Sequence, residues 1–327
     1  MPNLKLTITA KSSALATVFT ISRGSKSHAE TVIATLDDGT SRGRGECVPY
    51  TRYGETIESV TCQIEAMRAN LAEGMDREAL QSAMPAGAAR CAIDCALWDY
   101  EAKASNTPVW QLAGLPEPKP METAVTVVLG KPAEMAEAAK HAPGTLLKLK
   151  LGHEGDIERL EAVHAARPDA RLILDANEGL TPKRFSKIAT AALDMGVVLI
   201  EQPFPADNDA ALIRGASPVP ICADESVHTS ADIPALAQIY DGVNIKLDKT
   251  GGLTEAIKMM KAAQDAKMYT MVGCMVAGSL SMAPAVMLGR LADFVDLDGP
   301  LWLAEDIAHG LEYENGILSP PKSELWG

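Results

Sequence analysis

The sequence predicts an α/β protein, an eight-stranded TIM-like (β/α) barrel behind a smaller N-terminal α+β domain. From about residue 120 onward, short runs rich in Val, Ile and Leu alternate with helical patterns, and there are eight such runs. Their ends, Val128, Lys150, Asp175, Glu201, Asp224, Lys246, Gly273 and Asp296, recur every 22 to 27 residues, the length of a strand, a loop and a helix of about three turns. No G-x-G-x-x-G follows a first strand, which counts against a dinucleotide fold. Eight parallel strands in succession favour closure, because a closed sheet leaves no edge.

Taken in order, residues 1–117 read as α+β. LKLTITA and ETVIATLDDGTSRGRGEC look like strands joined at a DDG turn, followed by helices at ETIESVTCQIEAMRANLAEG and AGAARCAIDCALWDYEAKA. ISRGSKSHAE (21–30) and ECVPYTRYGET (46–56) read as loops. LPEPKP, with three prolines in six residues, marks the boundary to the barrel at 118–300. The barrel runs are expected to alternate with helices. The segment 301–327 holds no further βα unit and is expected to return to the first domain.

The chain has 327 residues, 47% of them hydrophobic and 22% charged, which excludes disorder and low-complexity architectures. Lys and Arg number 30 against 43 Asp and Glu, a net charge of −13, and aromatics are 4%. A polyanion would be repelled and find few stacking platforms, so nucleic acid is not an expected partner. No run is long enough to span a bilayer and no signal-peptide core is visible, so a soluble cytoplasmic protein without a membrane partner is expected. The six cysteines, Cys47, Cys62, Cys91, Cys95, Cys222 and Cys274, form no CxxC pair and are expected to be reduced core residues.

In such a barrel the chemistry sits at the C-terminal ends of the strands. Six of the eight runs end in Lys, Asp or Glu, more than the need of strands to return to solvent explains. Asp175, Glu201 and Asp224 come from three adjacent strands, so their carboxylates can converge. Three carboxylates that close repel one another, and a hard divalent cation resolves the conflict. All-oxygen ligation favours Mg²⁺, with Mn²⁺ also suitable, over zinc. Pairing with neighbouring lysines is the structural alternative. Lys148 and Lys150 are spaced by two and point the same way, inward. Lys246 ends the sixth strand, diametrically opposite the second, so Lys150 and Lys246 would face opposite sides of anything bound between them.

KLK at 148–150, DANE at 175–178, EQP at 201–203, ADES at 223–226 and NIKLDKTGGL at 244–253 stand in order on successive strand ends. Together they resemble the enolase superfamily, in its muconate-lactonizing subgroup, and within it the dipeptide epimerases. The resemblance implies an N-terminal α+β capping domain over a modified (β/α)₇β barrel. It makes Asp175, Glu201 and Asp224 the Mg²⁺ ligands and Lys150 and Lys246 the two acid/base catalysts, with Lys148 helping to hold the substrate carboxylate. The implied reaction is abstraction of a proton α to a carboxylate, through a metal-stabilised enediolate, and its return on the opposite face. Asp296 and Asp298 in VDLDGP would bind the ammonium of a small-molecule dipeptide. The capping loops resemble those of bacterial L-Ala-D/L-Glu epimerases, which implies a role in murein peptide metabolism. There Arg23 or Lys26 would bind a glutamate side chain, with Arg52 as a further candidate.

Other readings stay open: epimerization of a different dipeptide, an o-succinylbenzoate synthase or cycloisomerase type of lyase, and a non-catalytic peptide-binding relative. The D-x-D pair counts against the lyase, and the complete set of carboxylates and lysines against the binding protein. Oligomeric state, including a homo-oligomer, is not read from the sequence, nor is the lysine that serves each epimer.

Overall fold

Alternation of Val32, Ala34 and Leu36 gives the N-terminal meander one buried face. The computed structural model of the chain describes residues 4–152 and 154–327; residues 1–3 and His153 lie outside it. Strand β1 (Lys5–Ile21) pairs antiparallel with β2 (Gly24–Asp37), and β2 with β3 (Arg42–Cys47). The first strand thus runs well past the LKLTITA expected. Its ladder continues through the polar SSA segment to Ala14↔His28 and resumes, after a bulge, at Phe19↔Lys26. Residues 21–30 are accordingly not a loop but the tip of a two-residue hairpin and the start of β2.

Helices α1 (Ile57–Ala66) and α2 (Arg68–Ala72) divide the first expected helix, and α3 (Arg77–Ala83), capped by Asp76, was not expected. α4 (Ala88–Ser105) is buried on nearly every side. It can lie against β3 because Gly43 and Gly45 have no side chains; a Cβ at either would stand 2.2 Å from an α4 carbonyl. The expected helix and the RGRG run therefore explain each other.

After the short α5 (Val109–Leu112) and β4 (Met121–Glu122), eight parallel strands follow: β5 (Val125–Val127), β6 (Leu146–Lys150), β7 (Arg171–Asp175), β8 (Val197–Glu201), β9 (Ile221–Ala223), β10 (Gly242–Lys246), β11 (Tyr269–Gly273) and β12 (Phe294–Asp296). They pair in sequence order. Between them lie α6 (Pro132–His141), α7 (Asp156–Ala166), α8 (Pro182–Ala191), α9 (Ile233–Leu236), α10 (Leu247–Thr250), α11 (Leu253–Asp265) and α12 (Ser279–Val286). The unit after β8 departs from expectation: among the described residues no helix lies between Glu201 and Ile221, where turns bury Phe204, Leu212 and Val219 instead.

The seam between β5 and β12 is closed by few bonds. Ala124 N–H donates to the Val295 carbonyl (2.8 Å), and Thr126 N–H donates to the Asp298 carboxylate (2.7 Å). Ala124, Leu146, Ile173, Leu199, Cys222 and Met271 form an apolar plug inside the barrel. Two residues on from members of this set come Lys148, Asp175, Glu201 and Asp224, all buried. Strand periodicity thus stacks a charged layer on an apolar floor.

β13 (Tyr313–Glu314) and β14 (Ile317–Leu318) make a small sheet with β4. The chain end lies on the capping domain, where the Trp326 indole donates to the Cys95 carbonyl at 3.0 Å. Trp98 of α4 reaches Thr254 of α11 at 3.0 Å, joining the N-terminal domain to the barrel. All six cysteines are free, but Cys62 is exposed and Cys274 only partly buried, so the expectation of six core thiols holds for four. No helix among the described residues is long and apolar enough to cross a membrane.

Candidate active site

Register sets the site. Lys150 pairs in register with Asp175, and Asp175 with Glu201, so three charged residues stand side by side on β6, β7 and β8. Lys246 is aligned through Gly273 with Asp296 on the other side of the barrel. Lys150 Nζ lies 2.6 Å from Asp175 Oδ2. Lys148 Nζ lies 3.1 Å from the same oxygen, 2.6 Å from Glu201 Oε2 and 2.7 Å from Asp296 Oδ2. Lys246 Nζ is 2.6 Å from Asp224 Oδ2, and Lys249 Nζ is 2.5 Å from Asp224 Oδ1. Asn244 donates to Glu201 Oε1 at 2.8 Å. Gly273 makes room for that amide, since a Cβ there would stand 2.4 Å from Asn244 Oδ1.

These ion pairs and the burial around them shift the protonation equilibria. Although burial opposes it, Asp296, Glu201 and Asp175 hold Lys148 charged, its pKa raised well above normal. Lys246 is raised likewise by Asp224 and Glu201, against its burial. Burial, followed by the charge of Asp175, pushes Glu201 up to about 7. Burial opposes ionisation of Asp175 too, but Lys150 and Lys148 keep it well below the usual carboxylate range.

Asp175, Glu201 and Asp224 are buried oxygen ligands at the ends of adjacent strands. Among the described residues no three carboxylate, thiol or imidazole groups stand close enough to enclose one ion, and ammonium groups take the carboxylate oxygens instead. The convergence expected from sequence is thus incomplete here. The donor set still fits a hard divalent cation, because three buried carboxylates on neighbouring strand ends offer only hard oxygen ligands.

Above this layer lies a cavity of about 360 Å³, whose wall includes Lys150, Lys246, Asp224, Asn177, Lys26 and Phe19. Lys150 and Lys246 thus reach one cavity from opposite strands. Lys26 and Lys150 lie 5.8 and 5.9 Å from the centre of the Phe19 ring. Among the described residues Lys26 has no hydrogen-bond or ion-pair partner, and burial lowers its pKa to about 8. Arg23 is differently placed: its guanidinium is 2.7 Å from Glu225 Oε1 and 3.2 Å from Glu178 Oε2, while Arg52 takes Glu178 at 2.8 Å.

Asp296 and Asp298 are buried and do not line the cavity. Asp296 pairs with Lys148 through Oδ2, and its Oδ1 is buried without a hydrogen-bond partner. Asp298 Oδ2 accepts from Thr126 N–H and from the Trp302 indole at 3.2 Å. Asp298 therefore serves the barrel seam, which the D-x-D spacing did not reveal. Sequence reasoning also passed over Lys249, Asn244 and Glu225. The three-residue spacing of Lys246 and Lys249 across a strand-to-helix turn was the one available signal for Lys249.

A barrel whose rim sets three successive carboxylates between two lysines, under an antiparallel cap, defines the class of protein. Residues 132–324 match the model described as enolase C-terminal domain-like, and residues 3–114 that of the mandelate racemase / muconate lactonizing enzyme N-terminal domain. The chain belongs to this family. It is 45% identical over 307 residues, 93% of its length and 96% of the relative's, to an L-Ala-D/L-Glu epimerase of Escherichia coli K12. It is 42% identical, over 90% and 95% of the two chains, to an N-acetyl-D-glutamate racemase of a Pseudoalteromonas species. Among solved structures, an enolase family member from Agrobacterium tumefaciens with homology to dipeptide epimerases, holding sodium and L-Ala-L-Glu, superposes with a TM-score of 0.96 at 50% identity, covering 99% of this chain and 100% of that one. A dipeptide epimerase from Cytophaga hutchinsonii, complexed with Mg and D-Ala-L-Val, gives 0.91 at 26% identity, covering 97% and 93%.

Proposed function

We propose that the protein epimerizes the second residue of a dipeptide with an acidic side chain there, L-Ala-D/L-Glu, by proton transfer between two lysines. The observation that carries this is the cavity itself, into which Lys150 and Lys246 project from opposite strands. A planar carbanion held between them has one face toward each, so one lysine removes the α-proton and the other returns it to the opposite face. Asp175, Glu201 and Asp224 would hold Mg²⁺, which when bound supplies positive charge against the charge that develops on the substrate carboxylate. Lys26, unpaired on the cavity wall, is the cation for the glutamate side chain. Its ammonium favours that role over Arg23, whose guanidinium is already engaged by two carboxylates. Asp296 lies outside the cavity wall, but with its buried, unpartnered Oδ1 it is the carboxylate left to answer the substrate ammonium. The E. coli and A. tumefaciens relatives support the same substrate.

A second reading, racemization of N-acylated glutamate, is favoured by one feature. The carboxylates on the cavity wall, Asp224 and Glu225, are both ion-paired, so none is free for an ammonium. The Pseudoalteromonas relative bears a matching name. Incubation with Mg²⁺ in D₂O, read by mass spectrometry for α-deuterium, separates the two: label enters L-Ala-L-Glu on the first reading and N-acetyl-L-glutamate on the second. Replacing Asp296 by Asn should weaken turnover of the dipeptide far more than that of the N-acyl compound. Equal effects on both would remove the ammonium role.

A further inference from the structure

Arg23 and Arg52 belong to two separate segments of the cap, the hairpin tip and the turn at Thr51–Tyr53, yet both end on the barrel rim. Glu178 receives Arg52 through two bonds of 2.9 and 2.8 Å, Arg23 at 3.2 Å and the Ala206 N–H at 2.9 Å. Arg23 also donates to the Asn177 carbonyl at 2.9 Å and to Tyr50 Oη at 3.2 Å. Its strongest partner is Glu225 at 2.7 Å, whose side chain is 1% exposed. Glu225 Oε2 is buried without a hydrogen-bond partner, so lifting the hairpin would leave a buried carboxylate without its one ion-pair contact.

The rim is shaped for this contact at a cost. Asn177 and Glu178 are consecutive non-glycine residues with positive φ, 43° and 68°. Such backbone persists where its surroundings over-determine it, and it clusters at functional sites. Here the Asn177 amide donates to Asp175 Oδ1 and the Glu178 amide to the Gln202 carbonyl. The turn thereby presents the Asn177 carbonyl and the Glu178 carboxylate together to Arg23. Three residues further along the same hairpin, Lys26 faces the cavity.

We propose that Glu225 and Glu178 are positioning residues: by clasping Arg23 and Arg52 they hold the hairpin where Lys26 meets the acidic side chain of the substrate. The clasp thus governs capture of an acidic second residue rather than proton transfer, and in this it rests on the dipeptide reading above.

The test compares Glu225→Gln and Glu178→Gln with the parent on L-Ala-L-Glu and L-Ala-L-Ala, alone and combined with Lys26→Ala. Glu178 is the variant away from the buried lysines, and it keeps the test valid if Glu225→Gln folds poorly. Expected are a KM for L-Ala-L-Glu raised about tenfold in both variants and, in Glu178→Gln, which lies off the cavity wall, kcat within about threefold and a KM for L-Ala-L-Ala that does not move. In the Lys26→Ala background either variant should add little, the signature of two residues acting through one contact. Backbone amides of residues 21–26 should exchange with deuterium faster in both variants without substrate. Equal losses on the two dipeptides in Glu178→Gln, full additivity with Lys26→Ala, or parental amide exchange would each overturn the proposal. If the parent exchanges no α-proton of L-Ala-L-Glu, the function reading falls and takes the role of Lys26 with it; parental turnover with an unmoved KM in both variants overturns the clasp alone.

Discussion

Asp298→Ala takes away the one acceptor shared by two donors at the barrel seam, the Thr126 amide at 2.7 Å and the Trp302 indole at 3.2 Å. Thr126 is buried, and β5 and β12 have few other bonds between them. A buried donor left without a partner costs ~1–3 kcal/mol. The Thr126 bond is short and charge-assisted and belongs in the upper part of that range, while the longer indole bond, on a partly exposed side chain, belongs at the bottom. The sum is about 2–4 kcal/mol. At ~2–4 °C per kcal/mol for a domain of this size class, the melting temperature should fall by on the order of 10 °C. Asp298→Asn keeps an acceptor oxygen at the same place. It also removes a charge that burial and Asp296 already disfavour, as the raised pKa of Asp298 records, so it should stay within ~1 kcal/mol of the parent. Calorimetric unfolding of the three proteins, with L-Ala-L-Glu turnover alongside, measures both effects. An Ala variant with the parental melting temperature and no dipeptide turnover would make Asp298 a substrate contact and refute the seam argument. An Asn variant as unstable as Ala would show that the seam requires the charge rather than the acceptor.

Lys150→Ala and Lys246→Ala should each abolish epimerization while retaining α-proton exchange in D₂O for one epimer, the two variants choosing opposite epimers; either variant epimerizing near the parental rate breaks the two-face argument. A chelator should stop turnover and Mg²⁺ should restore it, and full activity in EDTA would remove the metal from the reading. Burial raises Asp248, whose carboxylate accepts the Val48 amide, to about 7 from an ordinary 3.8. The folded chain therefore keeps a proton that the unfolded chain loses first, so this group's contribution to stability is complete below about pH 4 and lost as pH rises through 7. Asp248→Asn should accordingly gain on the parent in melting temperature between pH 5 and pH 8; a constant difference over that range would mean that Asp248 ionises normally in the fold.

The sequence alone carried the eight strands and their ends, because period-two alternation and a repeat of 22 to 27 residues are local properties that survive without knowledge of contacts. It also carried the set of charged residues on the rim, since position at the end of a parallel strand already implies one face of the barrel. It was less informative wherever the deciding partner lies far along the chain. The loop expected at 21–30 is a hairpin because β1 extends through a polar stretch whose ladder is supplied by β2, and polarity alone does not show pairing. The helix expected after β8 gives way to turns that bury Phe204 and Leu212, a packing choice with no local signature. Arg23 and Lys26 are three residues apart and equally plausible as cations on paper. Only the folded rim separates them, by setting Glu225 and Glu178 beside the guanidinium and leaving the ammonium to the cavity. Asp298 was legible as half of a D-x-D pair, but its bond to Thr126 spans 172 residues. Composition and spacing determine which charges reach the rim. Which of them are neutralised there depends on contacts a few ångströms long between segments far apart in sequence, and only the tertiary structure brings those segments together.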